Sequence, residues 1–208
     1  KSSLENNNNQ FAQDLIDYLL ASSGKKIRPI LTLLSFYSLN SIPSDEQRQQ
    51  VITVSAAIEI IHMASLVHDD VIDDGDMRRM QQTINKRWGN EVSVILGVYL
   101  YSVALKLIYE VGSLEILSYL SDAVFSMCNG ELLQLANRHV SSFNEEDYIK
   151  TISAKTADLF VSATMCGACL AKATAEETKA VTVYASKLGQ LFQISDDFLD
   201  LKDVSNQL

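Results

Sequence analysis

From Asp45 to Asp74 the chain runs without a single Gly or Pro, and this one stretch excludes most architectures. It is far longer than a strand, which usually has 5–6 residues, so it reads as one long helix. The rest of the chain agrees. Only 8 Gly and 2 Pro occur in 208 residues, about 5% together, where an average chain carries roughly 12%. So few turn-formers argue against a sandwich, a barrel or a collagen-like chain. The expected fold class is all-α.

The other breaks define the remaining helices. Apolar residues recur at helical spacing at Phe11, Leu15, Tyr18 and Leu19, and Ser22-Ser23-Gly24 interrupts them. Pro29 suits the first turn of a second helix, where its missing N–H costs nothing, and that helix runs to about Leu39. Ser44 is the expected N-cap of the long helix and Gly75 its stop. Asp76 to Gly89 reads as a polar, basic connection. Helices are then expected over Asn90–Val111, Ser113–Asn137, Glu145–Ala173 and Ala175–Leu201. Asn129-Gly130 keeps helical flanks, so it predicts a kink or a close helix contact. The N-terminal residues, with Asn6 to Asn9 in a row, read as a frayed low-complexity segment. One helical domain over residues 1–208 is expected.

Composition also excludes functions. With 17 basic and 26 acidic side chains the net charge is −9, which argues against a nucleic-acid partner. Cys128, Cys166 and Cys169 are too few for a disulfide-stapled fold. The Cys166-x-x-Cys169 pair lacks the second ligand pair that a zinc site needs and reads as small residues on a packed helix face. The longest uncharged apolar stretch, Val92 to Leu105, is short of the roughly 20 residues a membrane span needs. It is expected to be a core helix or a subunit interface. A soluble, intracellular protein is expected, in the cytoplasm, with an organelle left open by the Asn tract.

Two acidic clusters carry the chemistry. Asp69-Asp70-Val71-Ile72-Asp73 and Asp196-Asp197-Phe198-Leu199-Asp200 both follow D-D-x-x-D. On a helix the first and last carboxylates fall on one face, a turn apart. Like charges so placed destabilise a helix by roughly 0.2–0.5 kcal/mol per pair, and a divalent cation would offset that. Carboxylate oxygens suit Mg²⁺, which keeps several waters and shares its shell with phosphate. A single acidic run is usually a solvated face. These two follow apolar sequence, Met63 to Val67 and Leu191, Phe192 and Ile194, which solvated faces do not. The basic residues Lys25, Lys26, Arg28, Arg78, Arg79, Lys86, Arg87 and Lys155 suggest an anion held jointly by metal and guanidinium forks, most naturally a diphosphate.

Six blocks stand in a familiar order: Gly24-Lys25-Lys26-Ile27-Arg28-Pro29, Glu59 through His62 to Asp73, Arg78-Arg79, Gly130-Glu131-Leu132-Leu133-Gln134-Leu135, Lys155-Thr156, and Phe192 to Asp197. From about Gly24 onward the chain resembles the trans-isoprenyl diphosphate synthases, or polyprenyl synthases. The resemblance implies an isoprenoid-synthase helical bundle around a central cavity, with the two aspartate motifs facing across it. Asp69, Asp70, Asp73, Asp196, Asp197 and Asp200 would hold three Mg²⁺ ions per active site on an allylic diphosphate. Arg78, Lys155 and Gln193 match allylic-substrate positions. Lys25, Arg28, His62 and Arg79 match the pocket for isopentenyl diphosphate, and Thr156 matches a position beside the reacting carbon. Asp69, Asp70, Lys155, Thr156 and Asp196 are the expected catalytic residues, and a homodimer is implied.

Product length is argued from packing. Ser65 lies one turn before Asp69 on the same helix face, with Ala64 beside it. Short-chain members of the family carry bulky aromatics near here, so the small pair predicts a product longer than C20. Ile58, Ile61, Phe125 and Met127 are candidates for the cavity floor. The chain departs from the family pattern at Ser23, Met80, Gln82 and Val98. The pattern would continue past Leu208, so the last helices are expected to be missing. Two alternatives are a non-catalytic partner subunit, which usually lacks aspartates that are all present here, and a terpene cyclase, whose second motif normally differs.

Overall fold

The computed structural model describes residues 9–22, 24–137 and 144–205, with side chains at 9–22, 24–136 and 144–199. Asn6 to Asn8, Ser23, Asn206 to Leu208 and the side chain of Asp200 lie outside this description. The helices are α1 (Gln10–Ala21), α2 (Ile27–Leu39), α3 (Asp45–Ile72), α4 (Ile84–Trp88), α5 (Asn90–Val111), α6 (Leu114–Asn137), α7 (Glu145–Ile152), α8 (Asp158–Ala171) and α9 (Ala175–Ser205). A π-helical turn, Ser153–Ala157, joins α7 to α8, and β1 (Met77–Arg78) pairs antiparallel with β2 (Gln81–Gln82).

Local chemistry explains the helix ends. Asn9 caps α1 by accepting from the Ala12 N–H at 3.2 Å. Ser44 and Gln47 form a reciprocal cap on α3: the Gln47 N–H donates to Ser44 Oγ at 3.2 Å and the Ser44 N–H to Gln47 Oε1 at 3.1 Å. Thr174 and Glu177 repeat the device at α9. At its far end α3 stops two residues before the expected Asp74. Asp74 itself adopts the left-handed conformation, φ 52°, and the Gly75 N–H reaches back to the Asp70 carbonyl at 2.9 Å. This is the closing pattern that glycine normally makes one residue earlier.

Two expectations from the sequence are corrected. The connection after Asp74 holds a hairpin and a short helix: Arg79 and Met80 form its turn, at φ 51° and 63°, in the geometry two-residue hairpins prefer. Thr83 then caps α4. The single helix expected over Glu145–Ala173 is interrupted by the π turn. There the Ser153 hydroxyl donates back to the Ile149 carbonyl at 2.6 Å. The predicted close contact at Gly130 is present, since a Cβ there would lie 3.1 Å from both Ala154 Cβ and the Lys155 nitrogen.

Packing divides the chain into two compact units, Lys1–Ile27 with Ala56–Gly112, and Arg28–Ser55 with Ser113–Leu208. In the first, Leu15, Ala64, Val67, Ile84, Leu96 and Leu100 form a core edged by Tyr18 and Trp88, whose rings meet edge to face at 4.8 Å. In the second, Phe36, Leu159, Phe160, Ile116 and Leu120 are fully enclosed, and the Ser35 hydroxyl donates to the Thr164 carbonyl at 2.8 Å. Cys166 is buried and Cys169 half-buried on α8, both free, as a packed face predicts. Helices α3 and α5 are long and apolar enough to cross a bilayer. Both place residues in the packed cores, and core helices pass the same test.

Candidate active site

The first aspartate cluster ends α3. Asp70 is buried, Asp69 half-buried and Asp73 exposed. Arg78, carried back by β1, donates to Asp70 Oδ1 from Nε at 2.9 Å and approaches it with Nη2 at 2.8 Å. A charged donor on a charged acceptor makes one of the stronger hydrogen-bond classes. The turn beneath is clamped from α4: Asn85 Nδ2 donates to the carbonyls of Asp70 and Gly75, each at 3.1 Å. The Thr83 hydroxyl donates to the same Gly75 carbonyl at 2.6 Å. The hairpin and α4 therefore fix the backbone that displays the cluster and bring Arg78 to it.

The other predicted residues of this unit are distributed as follows. Arg79 sets its guanidinium against Gly24, where a Cβ would fall 2.6 Å from Nη1, so that glycine leaves the arginine room beside Lys25. Lys26 is engaged with Glu59 at 2.9 Å. His62 is half-buried and Lys25 exposed. Ala64 is fully enclosed within the apolar core, while Ser65 is half-buried and donates to the His62 carbonyl at 2.9 Å. Sequence reasoning passed over His68. Its Nε2 lies 3.2 Å from the Val94 carbonyl, and its ring fills the notch at Gly97, where a Cβ would lie 2.0 Å from Nε2. This contact seats the end of α3 on α5.

Met80 is 97% exposed, so its side chain contributes no packing to offset the left-handed backbone. That conformation costs an L-residue roughly 1–2 kcal/mol, partly balanced by glycine's greater loss of freedom on folding. Met80→Gly is expected to stabilise the protein by about 1 kcal/mol. Urea unfolding would show a raised midpoint at constant slope; a lowered midpoint would contradict the strain.

The second cluster lies on α9. Asp196 and Asp197 are half-buried. Both Asp197 oxygens are engaged: Tyr148 Oη donates to Oδ2 at 2.5 Å and Gln193 Nε2 to Oδ1 at 2.8 Å. Gln193 Oε1 in turn accepts from the Thr156 hydroxyl at 2.7 Å. Burial first, and then the bond to Asp197, push Tyr148 up to about 12, so it remains a donor at neutral pH. Lys155 Nζ pairs with Glu131 Oε2 at 2.7 Å and donates to Gln134 Oε1 at 3.3 Å. Arg28 stacks over the Phe160 ring at 4.7 Å.

The structure thus joins Asp70 to Arg78 in one unit, and Asp197, Gln193 and Thr156 in the other. Four partners escaped sequence reasoning: His68, Asn85, Tyr148, and Glu131 as the counter-charge of Lys155. Glu131 was visible within its motif block, but the others carried no local signal. Among the described residues no three His, Cys, Asp or Glu side chains converge as a ready metal cluster. The donor set of both motifs is nonetheless all carboxylate. It fits Mg²⁺, which takes one or two carboxylates and completes its shell with water and phosphate oxygens.

The sequence profile of the Polyprenyl synthetase family matches residues 9–208. Octaprenyl diphosphate synthase of Escherichia coli (strain K12) is 38% identical over 203 residues, covering 98% of this chain and 61% of that protein. Heptaprenyl diphosphate synthase component 2 of Geobacillus stearothermophilus is 35% identical over 191 residues, covering 92% and 58% respectively. A crystal structure of a decaprenyl diphosphate synthase from Rhodobacter capsulatus superimposes with a TM-score of 0.89 at 32% identity, over 96% of this chain and 60% of that one. The chain spans about three-fifths of the length of the E. coli relative. With the aspartate motifs, the all-α fold and the family profile in agreement along its length, the chain belongs to the polyprenyl synthetase family.

Proposed function

We propose that the protein is a trans-polyprenyl diphosphate synthase, condensing isopentenyl diphosphate with an allylic diphosphate to give a product longer than C20. The observation that carries this reading is that both aspartate motifs are complete and each is tied to a neighbouring donor, Arg78 on Asp70 and Tyr148 with Gln193 on Asp197. Asp69, Asp73, Asp196, Asp197 and Asp200 are the residues that would hold three Mg²⁺ ions. Asp70 also contributes, chiefly by fixing the Arg78 guanidinium beside the cluster. Bound Mg²⁺ supplies Lewis-acid stabilisation of the departing diphosphate.

The chain's own groups do the rest. Arg78, Lys155 and Gln193 bind the allylic diphosphate, and Lys25, Arg28, His62 and Arg79 bind isopentenyl diphosphate. Cationic donors aimed at the leaving group stabilise the charge that develops there. The allylic C–O bond breaks and both electrons leave with pyrophosphate. The double bond of isopentenyl diphosphate then forms the new C–C bond, and a proton passes to the pyrophosphate. Thr156 and Gln193, hydrogen-bonded to each other, would offer oxygen atoms to stabilise a cationic carbon placed beside them. Thr156 sits in the π turn, a feature frequent at functional sites. Water has to be kept from the cation, which it would capture as an alcohol.

Ser65 sets the length reading. With Mg²⁺, labelled isopentenyl diphosphate and a C15 primer, the expected product distribution extends past C20, and Ser65→Tyr shifts it downward by at least one C5 unit. Termination of the wild-type protein at C15 or C20 would overturn the length reading while keeping the reaction. A homodimer is proposed through the exposed apolar face of α5, with Val94, Ile95, Val98 and Leu105. The location is proposed to be soluble and intracellular, in the cytoplasm or an organelle. The second reading is a non-catalytic partner subunit of a heteromeric synthase, and its support is that one relative is named as a component, heptaprenyl diphosphate synthase component 2.

A further inference from the structure

Helix α9 turns one face toward α7 and the π turn. Gln190 Nε2 donates to Ser153 Oγ at 2.9 Å, Gln193 Oε1 accepts from Thr156, and Asp197 accepts from Tyr148. Residues 190, 193 and 197 share a helix face by their spacing. The Tyr148 contact is therefore the end of a ladder that registers α7 against α9. Helix α7 is itself fixed at its start, where Asn144 Oδ1 accepts from the Asp147 N–H at 2.9 Å.

A carboxylate has about four lone-pair sites on its two oxygens. Gln193 occupies one on Oδ1 and Tyr148 one on Oδ2, which fixes the carboxylate plane and leaves a site on each oxygen for a ligand. The 2.5 Å separation at Tyr148 lies in the range of charge-assisted O–H···O⁻ bonds. Gln193 alone would leave the group free to rotate about its own bond. Resting on the reading of Asp197 as a Mg²⁺-diphosphate residue, we propose that Tyr148 is a positioning residue, whose hydroxyl locks the Asp197 carboxylate in the orientation that meets the metal-diphosphate ligand.

Groups hydrogen-bonded to metal-binding side chains typically contribute 10–100-fold to metal affinity or activity. Tyr148→Phe removes only the hydroxyl and keeps the ring. Calorimetric titration of Mg²⁺ with inorganic pyrophosphate into the protein is expected to show roughly tenfold weaker binding in Tyr148→Phe. Turnover at limiting Mg²⁺ should fall by a similar factor, and raising Mg²⁺ should recover most of it. Asp197→Asn run in parallel separates the two levels. If Asp197→Asn weakens binding and Tyr148→Phe does not, the role given to Tyr148 is wrong. If Asp197→Asn leaves binding unchanged, the metal-binding reading fails and the proposal falls with it. Binding lost by Tyr148→Phe only in proportion to a lost folded fraction, read from its thermal melt, would make the hydroxyl structural and overturn the proposal.

Discussion

Lys155→Ala is expected to lower turnover by about 10²–10³-fold, the usual loss when one preorganised group facing a developing charge is removed, and to destabilise the fold as well. The second effect comes from Glu131. That carboxylate is only 11% exposed and pairs with Lys155 at 2.7 Å, and its other oxygen, Oε1, is buried without a hydrogen-bond partner. Removing the ammonium leaves a buried charge uncompensated, which costs 3–5 kcal/mol for a fully buried pair. Lys155 is 28% exposed, so water can compensate in part, and about 2–3 kcal/mol is expected. The double variant Lys155→Ala, Glu131→Ala should regain most of that stability and none of the turnover. Thermal melts and product assays on the single and double variants check both halves. Turnover within tenfold of the wild-type protein would remove Lys155 from the mechanism.

Gly167→Ala is the second large effect, and it acts on the fold alone. A Cβ at this position of α8 would lie 2.4 Å from the Thr32 carbonyl oxygen and 3.0 Å from the Phe36 nitrogen. Both are backbone atoms of α2, so no side chain can swing aside and the two helices must separate. Overpacking usually costs 1–3 kcal/mol, and a backbone clash belongs at about 3 kcal/mol. For a chain of this size that corresponds to a fall in melting temperature on the order of 10 °C. An unchanged melt would show that α2 and α8 are not held at the distance described.

The helices were legible because Gly and Pro are so scarce that each break stands out, and because Ser44 is a good N-cap residue ahead of the long helix. Gly130 was legible as a kink or a close contact for the same reason, and the structure shows the contact. The hairpin was not. Its strands are two residues each, and its turn uses Arg79 and Met80 where Asn-Gly or Gly would have signalled it. The π turn adds one residue within a helical pattern that otherwise continues, and periodicity does not register that. The end of α3 was misread by a small margin because Asp74, rather than Gly75, takes the left-handed conformation.

At the candidate site, the sequence names the groups that carry charge and omits those that hold them. Asp70 and Arg78 are eight residues apart, and both stand in motifs. Tyr148 and Asp197 are 49 residues apart, and only folding brings them together. Asn85 and His68 likewise act through backbone carbonyls that no spacing rule identifies. Asp70 is the case where the structure refines the sequence reading. Its Oδ1 accepts from the Arg78 guanidinium, an ion pair that the motif alone did not indicate.

The proposed synthase would carry out the condensation without a second protein. The most direct test is incorporation of labelled isopentenyl diphosphate onto an allylic primer by the purified protein with no second protein present, first with Mg²⁺, then with chelator, then with Mg²⁺ restored. Under this reading, incorporation is expected to stop with the chelator and to return with the metal. A folded protein that binds Mg²⁺ and pyrophosphate yet incorporates nothing until a partner is added would contradict it, and would establish the partner-subunit reading instead.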